Sequence, residues 1–206
     1  MLAIETASEA CSVALFEGAA LIAHDHRVMG RGHAEALVPM IGALPDKGRA
    51  ERIVVSLGPG SFTGVRIGLA TARALGFAWG AEVMGYPTLA LIAAQAQAQY
   101  PGKPLTVCVN GGHGEWFVQD FADIAATNSL RSLTPQAAAA AGALDLIAGN
   151  RARDFADLLD DGRQVADLLP DASAVGLLPA QALTDRLAPI YGRDADATPM
   201  AGHKPA

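Results

Sequence analysis

A glycine-rich turn in the first half of the chain has the residue types and spacing of an anion-binding loop. Residues 58–64 read Gly-Pro-Gly-Ser-Phe-Thr-Gly, with an apolar run before them and a helical pattern of small residues after them. Backbone N–H groups at the start of a helix, with the helix dipole behind them, attract phosphate groups. Together with the polar loop after the first apolar run, the turn predicts a loop adjacent to a phosphate or nucleotide. Its candidate residues are Glu5, Thr6, Gly58, Gly60, Ser61, Thr63 and Arg66.

Two known nucleotide-binding motifs resemble this turn without matching it. A P-loop ends in Gly-Lys-Ser/Thr, whereas this turn ends in Gly64-Val65-Arg66. A dinucleotide-binding fingerprint needs a glycine in place of Thr63 and an acidic residue at the end of the next strand, but Glu82 lies at the start of that strand. A turn that only lets a helix and a strand pack closely therefore stays open as the alternative.

The helix after the turn carries a stripe that is almost free of side chains. Small residues recur every four positions, at Gly64, Gly68, Ala72, Gly76 and Gly80. Each glycine costs a helix up to about 1 kcal/mol relative to alanine, so close approach of another element is expected to offset that cost. The element is either the chain's own sheet or a helix of another subunit. We favour the subunit because only 17% of the residues are charged.

Other residues of catalytic or metal-binding type do not form a known site. The helix start His33-Ala34-Glu35-Ala36-Leu37 lacks the second histidine that a zinc-protease helix would have at position 37. His24 and His26 share one face of a strand but have no third ligand. Ser61 does not stand in a nucleophile elbow, and both cysteines lie in apolar contexts that predict buried thiols. We therefore predict no catalytic residue and no metal site.

The elements that would position the turn alternate along the first hundred residues. Three short strands come first and predict an antiparallel meander. Helices are then predicted at about residues 33–44, 65–79 and 88–99, with strands at residues 53–57 and 82–86 between them. Thr88 is a candidate N-cap of the third helix. This βββαβαβα order predicts a mostly parallel sheet with an antiparallel edge.

The second half begins anew with strands after a linker at residues 100–104. Strands are predicted at residues 105–109 and 116–121, and helices around the alanine run 137–141 and at residues 180–187. The predicted domains are an N-terminal lobe of residues 1–102 and a smaller C-terminal α/β lobe of residues 103–206. We expect the last segment of the second lobe to pack back on the first.

Composition narrows the function. The chain has 206 residues, enough for two small lobes with a sizeable core. Its net charge of −6 disfavours independent nucleic-acid binding, which needs clustered lysine and arginine. The sequence has no pattern of a signal peptide and no uncharged stretch that reads as a membrane span, so we predict a cytoplasmic protein without membrane contact.

Several segments, in order, resemble the TsaB (YeaZ) family. They are residues 2–6 (Leu-Ala-Ile-Glu-Thr), 10–15, 32–35 (Gly-His-Ala-Glu), 58–70 and 189–195. The run at residues 58–70 is highly specific, whereas each of the others alone is weak. The similarity is dense over the first hundred residues and thin between residues 105 and 187.

The resemblance implies an α/β fold of the actin-like (sugar kinase/Hsp70-type) two-lobe class, with mixed sheets flanked by helices. It implies an accessory subunit that binds and activates the catalytic subunit TsaD, with a TsaE-like ATPase as third partner. That complex forms N6-threonylcarbamoyladenosine at position 37 of ANN-decoding tRNAs, and the tRNA would be contacted only through the complex.

The resemblance also implies where partners bind. The helices that follow His33 and Gly64 would contact the partner, and similar faces would form a homodimer of the isolated chain. No cofactor is firmly implied, and ATP or ADP at the partner interface stays open. The predicted interface residues are His33, Leu37, Met40, Gly64, Gly68, Ala72 and Gly76.

This sequence departs from the family pattern at three places. Glu5 stands where the family usually has aspartate, the segment between Ile41 and Ile53 is short, and Asn110-Gly111-Gly112 stands where the family has Asp-Ala-Arg. The metal-binding histidine pair of the catalytic subunit is absent. We therefore expect no catalysis by the chain alone. The alternatives are a small actin-fold ATPase or phosphotransferase, which would need Glu5 for Mg²⁺, and a metalloprotease homologue.

Overall fold

Two mixed β-sheets with helices on their faces form the protein, and the computed structural model describes residues 1–192. The first sheet contains β1 (Leu2–Glu5), β2 (Ala10–Glu17), β3 (Ala20–Val28), β4 (Arg52–Ser56) and β5 (Glu82–Tyr86). The second contains β6 (Leu105–Gly112), β7 (Glu115–Ala122), β8 (Ala125–Ala126), β9 (Arg131–Leu133), β10 (Leu146–Ala148) and β11 (Gln164–Ala166). The α-helices are α1 (His33–Ala43), α2 (Phe62–Trp79), α3 (Thr88–Gln99), α4 (Pro135–Ala141) and α5 (Ala152–Leu159).

The first sheet has the strand order β3-β2-β1-β4-β5. β1, β2 and β3 pair antiparallel, while β1, β4 and β5 pair parallel. The meander, the crossover helices and the antiparallel edge are thus confirmed as the sequence predicts them. β4 is apolar at successive positions because both of its faces are buried: Ile53 and Val55 face the cluster under α1 and α2, and Val54 faces the opposite cluster.

The second sheet has the order β11-β10-β6-β7-β8, with β9 also pairing with β7. β6, β7 and β8 form an antiparallel meander, and β6, β10 and β11 pair parallel. Helix α3 lies between the two sheets. Leu91 packs with the first sheet, whereas Leu89 and Ile92 pack with the second. A helix buried on nearly all sides must be apolar all round, which explains why α3 has no charged residue.

Three local predictions need correction. Helix α2 begins at Phe62 and not at Val65, because the Ser61 Oγ accepts a hydrogen bond from the Gly64 N–H (3.1 Å) and caps the helix there. Thr88 is not an N-cap: Pro87 precedes α3 in that position, and the Thr88 hydroxyl instead lies 2.6 Å from the Ser56 Oγ.

The helix predicted at residues 180–187 is wrong beyond its first turn. Only a 3₁₀ turn, Ala180–Ala182, forms there. The backbone after this turn pairs with β5 and so cannot continue as a helix. Thr184 and Gly85 exchange two backbone hydrogen bonds (2.7 and 3.0 Å). The prediction of two buried, unpaired thiols is confirmed for Cys11 and Cys108.

Candidate functional site

A cleft of about 890 Å³ lies between the two sheets. On the side of the first sheet it is lined by the loop after β1 and by the glycine-rich turn. On the side of the second sheet it is lined by the end of β6 and by Asn150, which precedes α5. The cleft is lined by both polar and apolar residues. Its polar lining residues include Ser8, Glu9, Ser61, Arg66, Asn110 and Asn150.

The glycine-rich turn packs directly on the loop after β1. A Cβ atom at Gly60 would collide with the Ala7 carbonyl oxygen, and one at Gly64 would collide with the Thr6 carbonyl oxygen. The Ser61 N–H donates to the Ala7 oxygen (2.7 Å), and the Thr6 hydroxyl donates to the Gly64 oxygen (2.8 Å). These glycines are therefore needed for close backbone packing, which is the alternative that the sequence left open.

Glu5 and Thr6 do not reach the cleft, which corrects their predicted place in a nucleotide-adjacent loop. Both side chains are fully buried. The Glu5 carboxyl group accepts hydrogen bonds from the Ala7 N–H (2.6 Å) and the Tyr86 hydroxyl (3.3 Å). Burial raises the pKa of Glu5 to about 7, and these hydrogen bonds offset only part of that shift. In this arrangement Glu5 is not available as a ligand for Mg²⁺.

The other residues of the predicted loop divide into two groups. Gly60, Ser61 and Arg66 line the cleft, whereas Gly58 and Thr63 do not. Gly58 adopts a φ of +86°, a conformation that favours glycine, and its N–H bonds to the Ser56 Oγ. The structure thus places only part of the predicted loop at the cleft.

Two cleft residues that sequence reasoning missed connect the sheets. The Asn150 Nδ2 donates to both carboxylate oxygens of Glu9 (3.0 and 2.8 Å), and the Asn150 Oδ1 accepts from the Asn110 N–H (3.0 Å). Glu9 and Asn150 are 141 positions apart in the chain. No local spacing signals such a contact, so only the tertiary structure reveals it.

A segment at the end of the described chain, residues 184–192, crosses from the first sheet to the cleft; we call it the C-terminal strap. Besides the pairing of Thr184 with β5, the Ile190 N–H donates to the Leu57 oxygen at the end of β4 (2.7 Å). Residues 189–192 line the cleft. The remainder of the family-like segment, residues 193–195, lies outside the described residues.

The strap also holds two side chains of α2. The Arg73 Nη2 donates to the Leu187 oxygen (2.6 Å), and the Arg66 Nη2 donates to the Tyr191 hydroxyl (2.8 Å). The Arg66 guanidinium lies 3.2 Å from the centre of the Phe62 ring. Both arginine side chains are therefore fixed in place at the surface of α2.

The seven residues predicted at a partner interface are all buried within the chain. The His33 Nε2 lies 3.1 Å from the Ala10 oxygen. Leu37, Met40 and Ala72 belong to the core under α1 and α2.

The glycines of this set also face inward. Cβ atoms at Gly64 and Gly68 would collide with Thr6, and one at Gly76 would collide with Val83. From Gly64 to Gly76 the small-residue stripe faces the chain's own first sheet, whereas Gly80 is exposed and caps the C-terminus of α2. The interpretation of the stripe as a partner-facing surface is corrected, and the physical reason is the close approach of β1 and β5 to α2.

The surface that α1 and α2 do present is formed by other residues, which we call the exposed helix face. On α2 it includes Thr63, Arg66, Ala70, Arg73, Ala74, Phe77 and Ala78, and on α1 Ala34, Glu35, Val38, Pro39, Gly42 and Ala43. Phe77 is 92% exposed and Val38 is 56% exposed. Apart from two arginines and one glutamate, the face carries small or apolar residues.

Among residues 1–192, no group of three or more His, Cys, Asp or Glu side chains could hold a metal ion. Within the same residues, no helix is long and apolar enough to cross a membrane.

Comparison with known proteins gives the family. A protein-family model described as "TsaD: tRNA N6-adenosine threonylcarbamoyltransferase" matches residues 26–177. The chain is 35% identical over 128 residues to the Escherichia coli tRNA threonylcarbamoyladenosine biosynthesis protein TsaB, a match that covers 59% of this chain and 54% of that protein. It is 37% identical over 106 residues to the Haemophilus influenzae protein of the same name, covering 48% and 43%. The chain thus spans about half the length of the curated relatives it matches.

Solved structures extend the similarity over nearly the whole chain. An uncharacterized Pseudomonas aeruginosa protein "with similarity to peptidase YEAZ" superposes with a TM-score of 0.76 at 27% identity, covering 93% of this chain and 98% of that chain. YeaZ from Pseudomonas aeruginosa superposes with a TM-score of 0.71, covering 92% and 98%. The two helix-flanked mixed sheets are therefore the actin-like two-lobe α/β fold that the sequence predicted. The chain belongs to the TsaD family described by the matching model, and within it to the TsaB (YeaZ) proteins.

Proposed function

We propose that this chain is an accessory, non-catalytic subunit of a cytoplasmic complex that forms N6-threonylcarbamoyladenosine at position 37 of ANN-decoding tRNAs. The chain binds and activates a TsaD-like catalytic subunit, and a TsaE-like ATPase joins the complex. The chain contacts tRNA only indirectly, through the complex. The names of the relatives support the pathway. The exposed helix face supports the role as a binding subunit.

The observation that carries the proposal is the exposure of Phe77 on α2. A single exposed apolar side chain is ordinary, but the exposed residues Ala70, Ala74 and Ala78 lie near Phe77 on α2, and the neighbouring helix α1 exposes Val38. A contiguous apolar surface on two neighbouring helices is typical of a protein–protein interface. Small side chains allow close approach of partner helices, and an aromatic residue among them is a typical binding hot spot.

Two carboxyl groups near the glycine-rich turn support the non-catalytic role. Glu5 is buried away from the cleft, and Glu9, the acidic residue in the cleft lining, already accepts two hydrogen bonds from Asn150. Phosphoryl transfer needs acidic groups that hold Mg²⁺ beside the phosphates. Burial keeps Glu5 out of the cleft, and the hydrogen bonds from Asn150 occupy part of the Glu9 carboxylate.

The volume of the cleft supports a second candidate function, that of a small ATPase or phosphotransferase. A cavity of about 890 Å³ is large enough for a small-molecule ligand. Calorimetry of the isolated full chain with Mg-ATP separates the two functions. Binding with turnover supports the enzyme, and absence of turnover supports the accessory subunit.

The test of the docking role is Phe77→Asp in co-expression with the TsaD-like protein of the same organism, followed by size-exclusion chromatography. Because Phe77 is 92% exposed, the variant should keep its fold, yet a carboxylate buried in an apolar interface should abolish co-elution. Leu158→Asp is the matched control, since Leu158 is 48% exposed on α5 in the second half. Co-elution of the Phe77 variant at the wild-type level would overturn the docking role.

The same variant examines homodimerisation. If the exposed helix face also joins two copies of the isolated chain, wild-type protein should elute as a dimer and the Phe77→Asp variant as a monomer. Equal elution of both as dimers would place the homodimer contact elsewhere.

A further inference from the structure

Helix α2 carries a charge opposite to that of the whole protein. Its sequence from Phe62 to Trp79 contains two arginines and no acidic residue, whereas the chain has a net charge of −6. The helix lies on the surface, and both of its arginines are exposed. The charge is therefore presented to solvent or to a partner.

The two arginines lie on one line along the exposed helix face. Arg66, Ala70, Arg73 and Phe77 follow one another at intervals of four, three and four residues, which places them on one stripe of a helix. At 1.5 Å of rise per residue, Arg66 and Arg73 are separated by roughly 10 Å along the axis. The stripe ends at Phe77, the residue that carries the proposed docking surface.

Neither arginine has an acidic partner among the described residues. Arg27, Arg52, Arg131, Arg151 and Arg163 each form an ion pair with an aspartate or glutamate. Arg66 and Arg73 donate instead to neutral acceptors of the C-terminal strap, the Tyr191 hydroxyl and the Leu187 carbonyl. A hydroxyl or carbonyl oxygen positions a guanidinium without neutralising its charge.

The strap reduces the entropic cost of binding through these side chains. A free arginine side chain loses rotamer freedom when it forms an ion pair, and this loss cancels much of the gain. Arg66 is already held by Tyr191 and by stacking on the Phe62 ring, and Arg73 by the strap backbone. A planar guanidinium has five N–H donors, so donors remain for a carboxylate.

From this geometry we infer that Arg66 and Arg73 are the charge-recognition residues of the docking surface, and that the partner presents carboxylates roughly 10 Å apart where it meets α2. The inference rests on the proposed function, since it takes the TsaD-like subunit as the occupant of the exposed helix face. It adds the chemistry of the partner's surface, which must be acidic along this line.

A second copy of this chain fits the stripe less well. In a symmetric dimer the same face meets itself, so its own charges must pair. The exposed helix face contains one acidic residue, Glu35, and two arginines. A homodimer through this face therefore leaves positive charge uncompensated, and an acidic partner should displace it.

The experiment measures binding of the full chain to the full-length TsaD-like protein of the same organism by calorimetry at 50 and 500 mM NaCl, two concentrations that differ about three-fold in Debye length. The variant is the double change Arg66→Glu with Arg73→Glu. At low salt we expect about 100-fold weaker binding, about tenfold for each reversed charge, and a much smaller effect at high salt. Arg153→Glu is the matched control, because Arg153 is exposed on α5.

The double change Arg66→Lys with Arg73→Lys separates charge from the strap. Lysine keeps the positive charge but loses the planar guanidinium contacts with the strap. Affinity that falls far less than in the double Glu variant supports charge recognition. An equal loss in both variants would mean that only the strap contacts matter, and the inference would be overturned.

The remaining outcomes distinguish this inference from the proposed function. If the double Glu variant binds within twofold of wild type while Phe77→Asp abolishes binding, the charge inference is overturned and the docking surface stands. An equal loss in Arg153→Glu would show an effect of net charge alone and would also overturn it. If the wild-type protein does not bind the TsaD-like protein at all, the proposed function is overturned, and the inference that rests on it is overturned too.

Discussion

The two halves of the molecule share one topology and differ in the surfaces of their helices. Each sheet consists of a three-stranded antiparallel meander followed by two parallel strands, in the orders β3-β2-β1-β4-β5 and β8-β7-β6-β10-β11. In each half one helix precedes the first added strand and another connects the two: α1 and α2 in the first half, α4 and α5 in the second. The domain boundary at residues 102–103 stays a prediction, but the repeated strand order is a property of the structure.

The equivalent crossover helices α2 and α5 make the contrast clearest. Helix α2 has 18 residues and an exposed side of small residues, two arginines and Phe77. Helix α5 has 8 residues, and its exposed surface carries charged residues beside Leu158, with the Arg151–Asp154 ion pair at its start. The same connection therefore produces a surface of mainly small and apolar residues in one half and a mainly charged surface in the other.

Both halves use glycine at the turn before the crossover helix, for one physical reason. A Cβ atom at Gly60 would collide with the Ala7 carbonyl oxygen, and one at Gly149 with the Cys108 carbonyl oxygen. In each half the first strand or the loop after it passes directly under the turn. The turns meet at the cleft, where Ser61 and Asn150 line opposite sides.

The largest effect is expected from Gly64→Ala, which tests whether the close packing of the first half is essential. The added methyl group would overlap backbone atoms that cannot move away easily, so the free energy of unfolding should fall by about 3 kcal/mol or more. Urea denaturation followed by circular dichroism measures it.

Gly42→Ala on α1 is the control for Gly64→Ala. A Cβ atom at Gly42 would meet no atom within 4 Å, so the change should stabilise the protein by about 0.5–1 kcal/mol through helix propensity. A loss of stability at Gly64 no larger than 1 kcal/mol would contradict the packing explanation.

The second effect is the pH dependence of stability, which we expect to come from a buried carboxyl group in the first half that has no counterpart in the second. The pKa of Glu5 rises from 4.5 to about 7 on burial, whereas the end of β6 in the second half carries the uncharged Asn110. Folded protein therefore holds a proton that unfolded protein releases, and stability should fall as pH rises from about 4.5 to 7. The expected loss is about 3 kcal/mol, and Glu5→Gln should abolish it.

Denaturation curves of wild type and Glu5→Gln at several pH values between 4.5 and 7.5 measure this linkage. The informative quantity is the difference between the two slopes, since other groups titrate equally in both proteins. Parallel slopes would show that the pKa of Glu5 is the same in the folded and the unfolded protein, which would contradict the raised pKa.

The smallest effect tests the contact between the halves. Asn150→Ala removes the hydrogen bonds to the Glu9 carboxylate and the bond from the Asn110 N–H. Because water in the cleft can replace some of them, the free energy of unfolding should fall by about 1–2 kcal/mol. Asn128→Ala is the comparison, because the hydrogen bonds of Asn128 lie within the second half. This variant should also lose stability, but small-angle X-ray scattering should show the separation of the halves unchanged.

Much of the fold was predictable because its signals are local. The continuous apolar run of β4 indicates a strand buried on both faces, and the turn before α2 marks the start of a crossover helix. The resemblance of residues 58–70 identified the family. The helix predicted at residues 180–187 failed because Thr184 pairs with β5 far away in sequence, and no local pattern indicates such a contact.

The candidate site was predictable only in part. Periodicity shows that one face of α2 lacks side chains, but it does not reveal what lies against that face. The tertiary structure decided it: Thr6, directly after β1, approaches Gly64 and Gly68 too closely for a side chain there, and Val83 of β5 does the same at Gly76. We therefore propose the opposite side of the helix, and not the glycine stripe, as the docking surface.

Residue order along the chain thus determines the strands and the helices, because these depend on neighbours within a few positions. Burial of Glu5, the Glu9–Asn150 contact and the fixing of Arg66 and Arg73 by the strap arise only when distant segments meet. Those contacts depend on the mutual packing of the two sheets and the last described segment. That packing is a property of the whole folded chain, which no short stretch of sequence specifies.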